Sequence, residues 1–303
     1  MGYRADQACA EGSGWSDQRR RESVPGCDRA GTVLYYTFVI KLARFYNLPV
    51  YLYSQGVGPL HTSFARFAVR SALKHVEGSV RDAESRDLLR DIGVRKDFPV
   101  IPDPVLEQYI RTEDEDDWIS SQGIPSPVIT VSLRDWNGSD HYKKSLAATL
   151  DHFSTKGYAI VFVSMHGSPD SQVAEEVSHL MEEKAWISPS FLSLRAKATI
   201  IARSELLIGM RLHSLIFAAN AEVPFAALSY DPKIDAFARE LDQPLLGNIN
   251  DKKETWDVDK MTSTLEYLLG RADYDEYCDK IGMMTKAATR TAESALRYFR
   301  HHI

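Results

Sequence analysis

The stretch GMRLHS, residues 209–214, puts a guanidinium and an imidazole two positions apart, with apolar runs on both sides at 206–208 and 215–219. The first run has the length of a buried strand and the second suits a helix, so Arg211 and His213 fall at a strand-to-helix junction. A helix that starts there offers free backbone N–H groups and the positive end of its dipole. Arg211 adds a planar fork that can grip a carboxylate or phosphate through two nitrogens. A histidine beside bound anions has its pKa raised and can hold a proton to deliver. Lys233, after the next apolar run, could supply a further point charge. The pattern points to a small polyanion as ligand. The residues alone leave His213 equally readable as a capping or packed histidine.

These side chains need a frame, and the sequence supplies one. Strand-like runs alternate with helical ones: VITVSL (128–133) then 141–156, YAIVFVSM then 171–183, ELLIG then 213–220, PFAALSY then 232–241. Such alternation means βαβ units and a parallel sheet. In open sheets of this kind ligands bind outside the carboxyl ends of the strands. Polar groups recur at those ends: Ser54, Gln55 and Gly56; Arg81 and Asp82; Arg134, Asp135 and Trp136; Met165 and His166; Arg211 and His213; Tyr230, Asp231 and Lys233. His166 and Asp170 read more readily as loop polar groups. The glycines at 56 and 58 lack the third glycine of a dinucleotide fingerprint.

The chain has 303 residues, 44% hydrophobic and 26% charged, with a net charge of −6. That length suits about two domains, and the acidic balance argues against a broad nucleic-acid footprint. The sequence shows no apolar run near the ~20 residues of a membrane span and no signal-peptide pattern. Three cysteines, Cys9, Cys27 and Cys278, have no CxxC spacing, so neither a disulfide framework nor a zinc site is expected. A reduced, cytoplasmic setting follows, with no metal.

Residues 1–31 contain one large aliphatic residue, Val24, and no helix or strand period, and they read as disordered. From Thr32, a plausible N-cap, TVLYYTFVIKLARFYN is apolar nearly all round and predicts a buried helix. A strand at 49–53, a helix, a short strand and a helix from Ala83 to about Gly93, and a strand in FPVIPDPVL follow. The acidic run 113–117 with Pro125 and Pro127 marks a linker. The expected organisation is a partial first Rossmann-like domain at 32–112, a linker at 113–127, a second such domain at 128–272 and a closing helix at 273–303.

SQGVGPL, VRDAESRDLLRDIGV, DPVL, VSLRDW, GMRLHSLIFAA and VPFAALSYDPKI, in this order, resemble the polysaccharide pyruvyl transferase family, which includes bacterial enzymes that anchor S-layer and other cell-surface components. The resemblance spans roughly 32–300. It implies a GT-B-like α/β fold, two Rossmann-like domains with parallel sheets facing across a cleft, the N-terminal one incomplete. It implies transfer of a pyruvyl group from phosphoenolpyruvate to a sugar of a cell-wall or exopolysaccharide glycan, with a ketal formed and phosphate released. Phosphoenolpyruvate is then a substrate, and no cofactor is implied. The acceptor glycan can be lipid-linked, which would put the enzyme at the inner face of the membrane. By the same resemblance His213 and Asp135 would be catalytic, and Arg211, Lys233, Arg81 and Ser214 would hold the donor. Gln55, Arg134, Trp136, His166, Tyr230 and Asp231 would line the acceptor side or cleft. Family members open with a strand, a glycine-rich loop and a GGGSLLQD-like segment, none of which residues 1–31 match. A truncated or altered start is therefore expected. Two other readings remain: a nucleotide-sugar glycosyltransferase of similar fold, and a catalytically dead protein that binds anions or glycan.

Overall fold

The computed structural model describes residues 30–107, 117–136, 140–270 and 273–302. The first lobe holds α1 (Ala30–Phe45), β1 (Tyr51–Gln55), α2 (Ser63–Leu73), β2 (Glu77–Val80) and α3 (Ala83–Asp91). Strands β1 and β2 pair in parallel. Their close approach needs Gly78: its φ is +142°, and a Cβ there would sit 2.0 Å from the Leu52 carbonyl oxygen. Helices α2 and α3 start where the sequence offers caps. The Thr62 side chain accepts from the Ala65 N–H and the Asp82 carboxylate from the Ser85 N–H.

The second lobe follows a four-residue helical turn, α4 (Trp118–Ser121). It contains β3 (Val128–Ser132), α5 (Lys143–Thr155), β4 (Ala159–Phe162), α6 (Ser168–Leu180), β5 (Ala185–Ile187), α7 (Leu194–Ala202), β6 (Leu206–Gly209), α8 (Leu212–Asn220), β7 (Phe225–Ser229), α9 (Pro232–Glu240) and β8 (Leu245–Asn248). The six strands are all parallel in the order β5-β4-β3-β6-β7-β8. This is the doubly wound order, and its direction reverses between β3 and β6. The four middle strands, β4, β3, β6 and β7, are buried at every position, as expected when helices cover both faces of a parallel sheet.

Two helices close the chain, α10 (Val258–Leu269) and α11 (Tyr274–His302). Helix α11 is bolted to both lobes. The Tyr277 hydroxyl donates to the Val223 carbonyl at 2.8 Å in the second lobe. The Tyr298 and Phe299 rings lie 5.3 and 6.4 Å from the Tyr51 ring in the first. Among the described residues no helix is long and apolar enough to cross a membrane.

Several expectations need correction. Helix α1 begins at Ala30, so Thr32 lies inside it and is not its N-cap. Nor is α1 a buried helix. Val33, Thr37 and Ile40 face the first-lobe core, while Tyr35, Phe38 and Phe45 stand in solvent. The FPVIPDPVL segment is not a strand; it makes one bridge, Val80 to Val100, and then a 3-10 turn at Pro104–Glu107. Leu106 of that turn is buried among second-lobe side chains. The sequence pattern shows neither the edge strands β5 and β8, which are short and only partly buried, nor the nine-residue α7. Residues 1–29 and the acidic run 113–116 lie outside the described residues.

Candidate active site

The order reversal between β3 and β6 places Arg134, Asp135 and Trp136 next to Arg211 and His213 in the crevice where open α/β sheets bind ligands. The candidate residues gather there in three groups.

The first is built on Arg211, the N-terminal flank of α8. Its Nε donates to Asp170 Oδ2 at 2.6 Å and its Nη2 to Asp170 Oδ1 at 2.5 Å. Asp170 sits in the first turn of α6 with its side chain 1% exposed. It also accepts from the His166 backbone N–H at 2.8 Å. Strands β4 and β6 flank β3, so this pair reaches over the carboxyl end of β3. Lys197 of α7 is buried close by and donates to the Ser190 carbonyl at 2.9 Å. Burial pushes the Lys197 ammonium pKa down, and the Asp170 charge opposes that shift. His213 is exposed in the first turn of α8. The Ser214 hydroxyl is buried and donates back to the Arg211 carbonyl at 2.7 Å, so it braces the helix start.

The second group is an aromatic cage. Arg134 Nη1 donates to the Tyr230 hydroxyl at 2.6 Å, and its guanidinium carbon lies 5.0 Å from the centres of both the Trp136 and Tyr230 rings. The rings are 4.4 Å apart. Trp136 Nε1 donates to Asn250 Oδ1 at 2.8 Å, and Asn250 Nδ2 to the Tyr230 carbonyl at 2.7 Å. Asn250, in the loop after β8, was not among the sequence candidates. Asp135, between two held side chains, is exposed.

The third group spans the lobes. Arg81, at the end of β2, lies 3.5 Å from Asp103 and 3.6 Å from Asp82. Its Nη2 rests against Gly56, where a Cβ would come within 2.6 Å. Facing it, Asp231 caps α9 through the Lys233 N–H and pairs with the Lys233 ammonium at 3.1 Å. Arg81, Asp231, Lys233 and the 56–59 loop line one cavity of about 390 Å³. A smaller cavity beside it adds Leu212 and Glu240. Burial raises the Glu240 carboxyl pKa, with Asp82 and Glu84 adding to the rise. Gln55 is exposed at the end of β1, and its backbone carbonyl accepts from the Arg81 N–H. Among the described residues no group of three or more His, Cys, Asp or Glu side chains gathers as a metal ion would require.

Asp170 is the correction here: it is a buried partner of the motif arginine and not a loop polar group. Its pairing with a residue 41 positions away left no trace in local sequence.

Two α/β lobes with parallel sheets, joined by a returning C-terminal helix, define a GT-B-like fold. Solved structures superpose on it. The S. aureus MnaA–UDP complex does so with a TM-score of 0.63 and 10% identity over 90% of this chain and 81% of that one. The Neisseria meningitidis UDP-GlcNAc 2-epimerase bound to UDP-GlcNAc gives 0.58 and 14% over 86% and 73%. The α,α-trehalose 6-phosphate synthase from Burkholderia multivorans gives 0.56 and 11% over 88% and 69%. At these identities the likeness is one of fold. Curated proteins give no significant match. The chain belongs to the polysaccharide pyruvyl transferase family, whose profile matches residues 22–232. That match takes in Arg81, Asp135, Arg211, His213 and Asp231 and stops one residue short of Lys233.

Proposed function

We propose that this protein transfers a pyruvyl group from phosphoenolpyruvate to two hydroxyls of one sugar in a cell-envelope or exopolysaccharide glycan. Family membership supports the reading, and so do Arg81 and Lys233 on facing walls of the cleft, each beside a carboxylate partner. The observation that carries it is the placement of Arg211 and His213 at the β3/β6 crevice, at the start of α8. A carboxylate and a phosphate are the groups such a start, with Lys233 on the same lobe and Arg81 across the cleft, is suited to hold.

In this mechanism His213 gives a proton to the methylene carbon, which becomes the methyl group, and positive charge develops at C2. Asp135 takes the proton of the first sugar hydroxyl as its oxygen bonds to C2. The C2–phosphate bond then breaks, the second hydroxyl closes the ketal, and its proton leaves with phosphate. Asp135 returns a proton to His213 by way of solvent, so the protons balance. Arg81, Arg211 and Lys233 offset the anionic charge of donor and departing phosphate. The Arg134–Trp136–Tyr230 cage offers flat faces for the acceptor sugar. No metal or cofactor enters this scheme.

The test is phosphate release from phosphoenolpyruvate with a panel of hexose and N-acetylhexosamine glycosides, with the ketal detected by mass spectrometry. Turnover driven by a UDP-sugar in its place would assign a glycosyltransferase. Phosphoenolpyruvate binding with no turnover on any acceptor would assign an anion-binding protein.

A further inference from the structure

The exposed face of α1 and α2 is the least expected surface of the molecule. Tyr35, Phe38, Phe45 and Tyr46 of α1 and the adjoining loop stand in solvent, and so do Phe64 and Phe67 of α2. Phe45 is 78% exposed and Phe38 63%. A soluble surface scatters such residues singly, whereas a contiguous set marks an interaction site.

The charge of this region says what the face fits. Residues 30–76 contain no aspartate or glutamate, although the whole chain carries −6. The same stretch has five cationic side chains, Lys41, Arg44, Arg66, Arg70 and Lys74. Arg70 lies over the exposed Phe67 ring, with its guanidinium carbon 5.8 Å from the ring centre. Beside the patch an open cavity of about 360 Å³ is lined by Arg44, His75 and His302, with no acidic residue in its wall. Aromatic rings with lysine and arginine around them are the composition that settles at a membrane interface. Two copies of the chain meeting through this face would bring like charges together, which disfavours self-association.

We infer that the α1–α2 face is a docking surface for an anionic lipid bilayer. The rings would sink to the level of the headgroups and the cationic side chains would meet lipid phosphates. The inference stands on the surface alone and holds whether or not the chain transfers pyruvate. It also has a geometric consequence. An apolar groove of about 280 Å³ lies between α1, β1 and α2 and ends at the 56–59 loop. That same loop borders the cleft of Arg81 and Lys233. The lobe that carries the docking face therefore also carries one wall of the cleft.

The experiment is flotation of the full chain with vesicles of phosphatidylcholine alone and with 30% phosphatidylglycerol, at about 0.1 and 0.5 M salt. Binding is expected on the anionic vesicles only, at low salt. Phe38→Ser with Phe45→Ser should weaken it at least tenfold, and so should Lys41→Glu with Arg44→Glu. All four side chains are solvent-facing or partly so, and thermal melts of both double variants should match that of the parent. A folded parent that ignores anionic vesicles overturns the inference. Undiminished binding by both variants overturns it too. A dimer in sedimentation that the Phe→Ser pair dissolves would assign the face to a second copy instead.

Discussion

Arg211 and Asp170 form a two-point ion pair, Nε to Oδ2 at 2.6 Å and Nη2 to Oδ1 at 2.5 Å, with the carboxylate sealed from solvent. The arginine that the sequence offers to a ligand is thus already held by the protein, with its guanidinium fixed over the end of β3. Arg211→Ala should cost more than ligand affinity, because it strands a buried carboxylate. Breaking a buried pair from one side costs of order 3 kcal/mol. Urea unfolding should show losses of that size for Arg211→Ala and for Asp170→Ala. The double variant should lose clearly less than their sum. Strictly additive losses would mean that the two groups are not coupled.

The legible and illegible parts of the site differ in range. The alternation of VITVS, AIVF, LLIG and FAALS with helical stretches is a local signal, and each of those runs is a fully buried strand. Arg211 and His213 were found by position, at the end of one such run. Asp170 reads as a loop polar group because its meaning comes from a side chain 41 residues away, and Asn250 carries no local signal because it follows β8, an edge strand that is only partly buried. Helix α1 failed for the opposite reason. Its composition says burial, and nothing in the composition of a helix says whether a partner is present to bury it.

His213 should behave unlike Arg211. It is exposed and makes no structural contact on which the helix start depends, since the Ser214 hydroxyl and Arg211 carbonyl brace that turn. His213→Ala should leave stability within about 0.5 kcal/mol, the usual range for surface substitutions. If it is the general acid, turnover should fall about a hundredfold or more. Paired thermal melts and initial rates check both halves. A variant that melts normally and turns over normally removes His213 from the mechanism, and His166 becomes the next to test.

Gly56→Ala offers a way to disturb Arg81 without touching its charge. A Cβ at Gly56 would lie 2.6 Å from Arg81 Nη2, the far end of a flexible side chain, so the arginine should swing aside at little cost to folding. Calorimetry should show phosphoenolpyruvate binding weakened in Gly56→Ala in the same direction as in Arg81→Ala, with melts near the parent's. Full donor affinity in both variants would take Arg81 out of the donor site.

The cleft also contains an acid that works against it. Glu240 is open to solvent as a residue, yet its carboxyl borders the interlobe cavity, and water loss there together with Asp82 and Glu84 raises its pKa. A raised carboxyl pKa means that the folded state binds the proton more tightly than the unfolded chain. The penalty is therefore absent at pH well below the ordinary glutamate value. It grows as pH climbs from there through the raised value and is constant above it. Glu240→Gln removes the charge and with it the penalty. The variant should melt above the parent at pH 7.5, by about 1–2 °C given the partial exposure, and the gap should close near pH 4. Melts at the two pH values decide the matter: a gap that stays constant across them, or a variant that melts below the parent at pH 7.5, would show that Glu240 is not desolvated at the cleft.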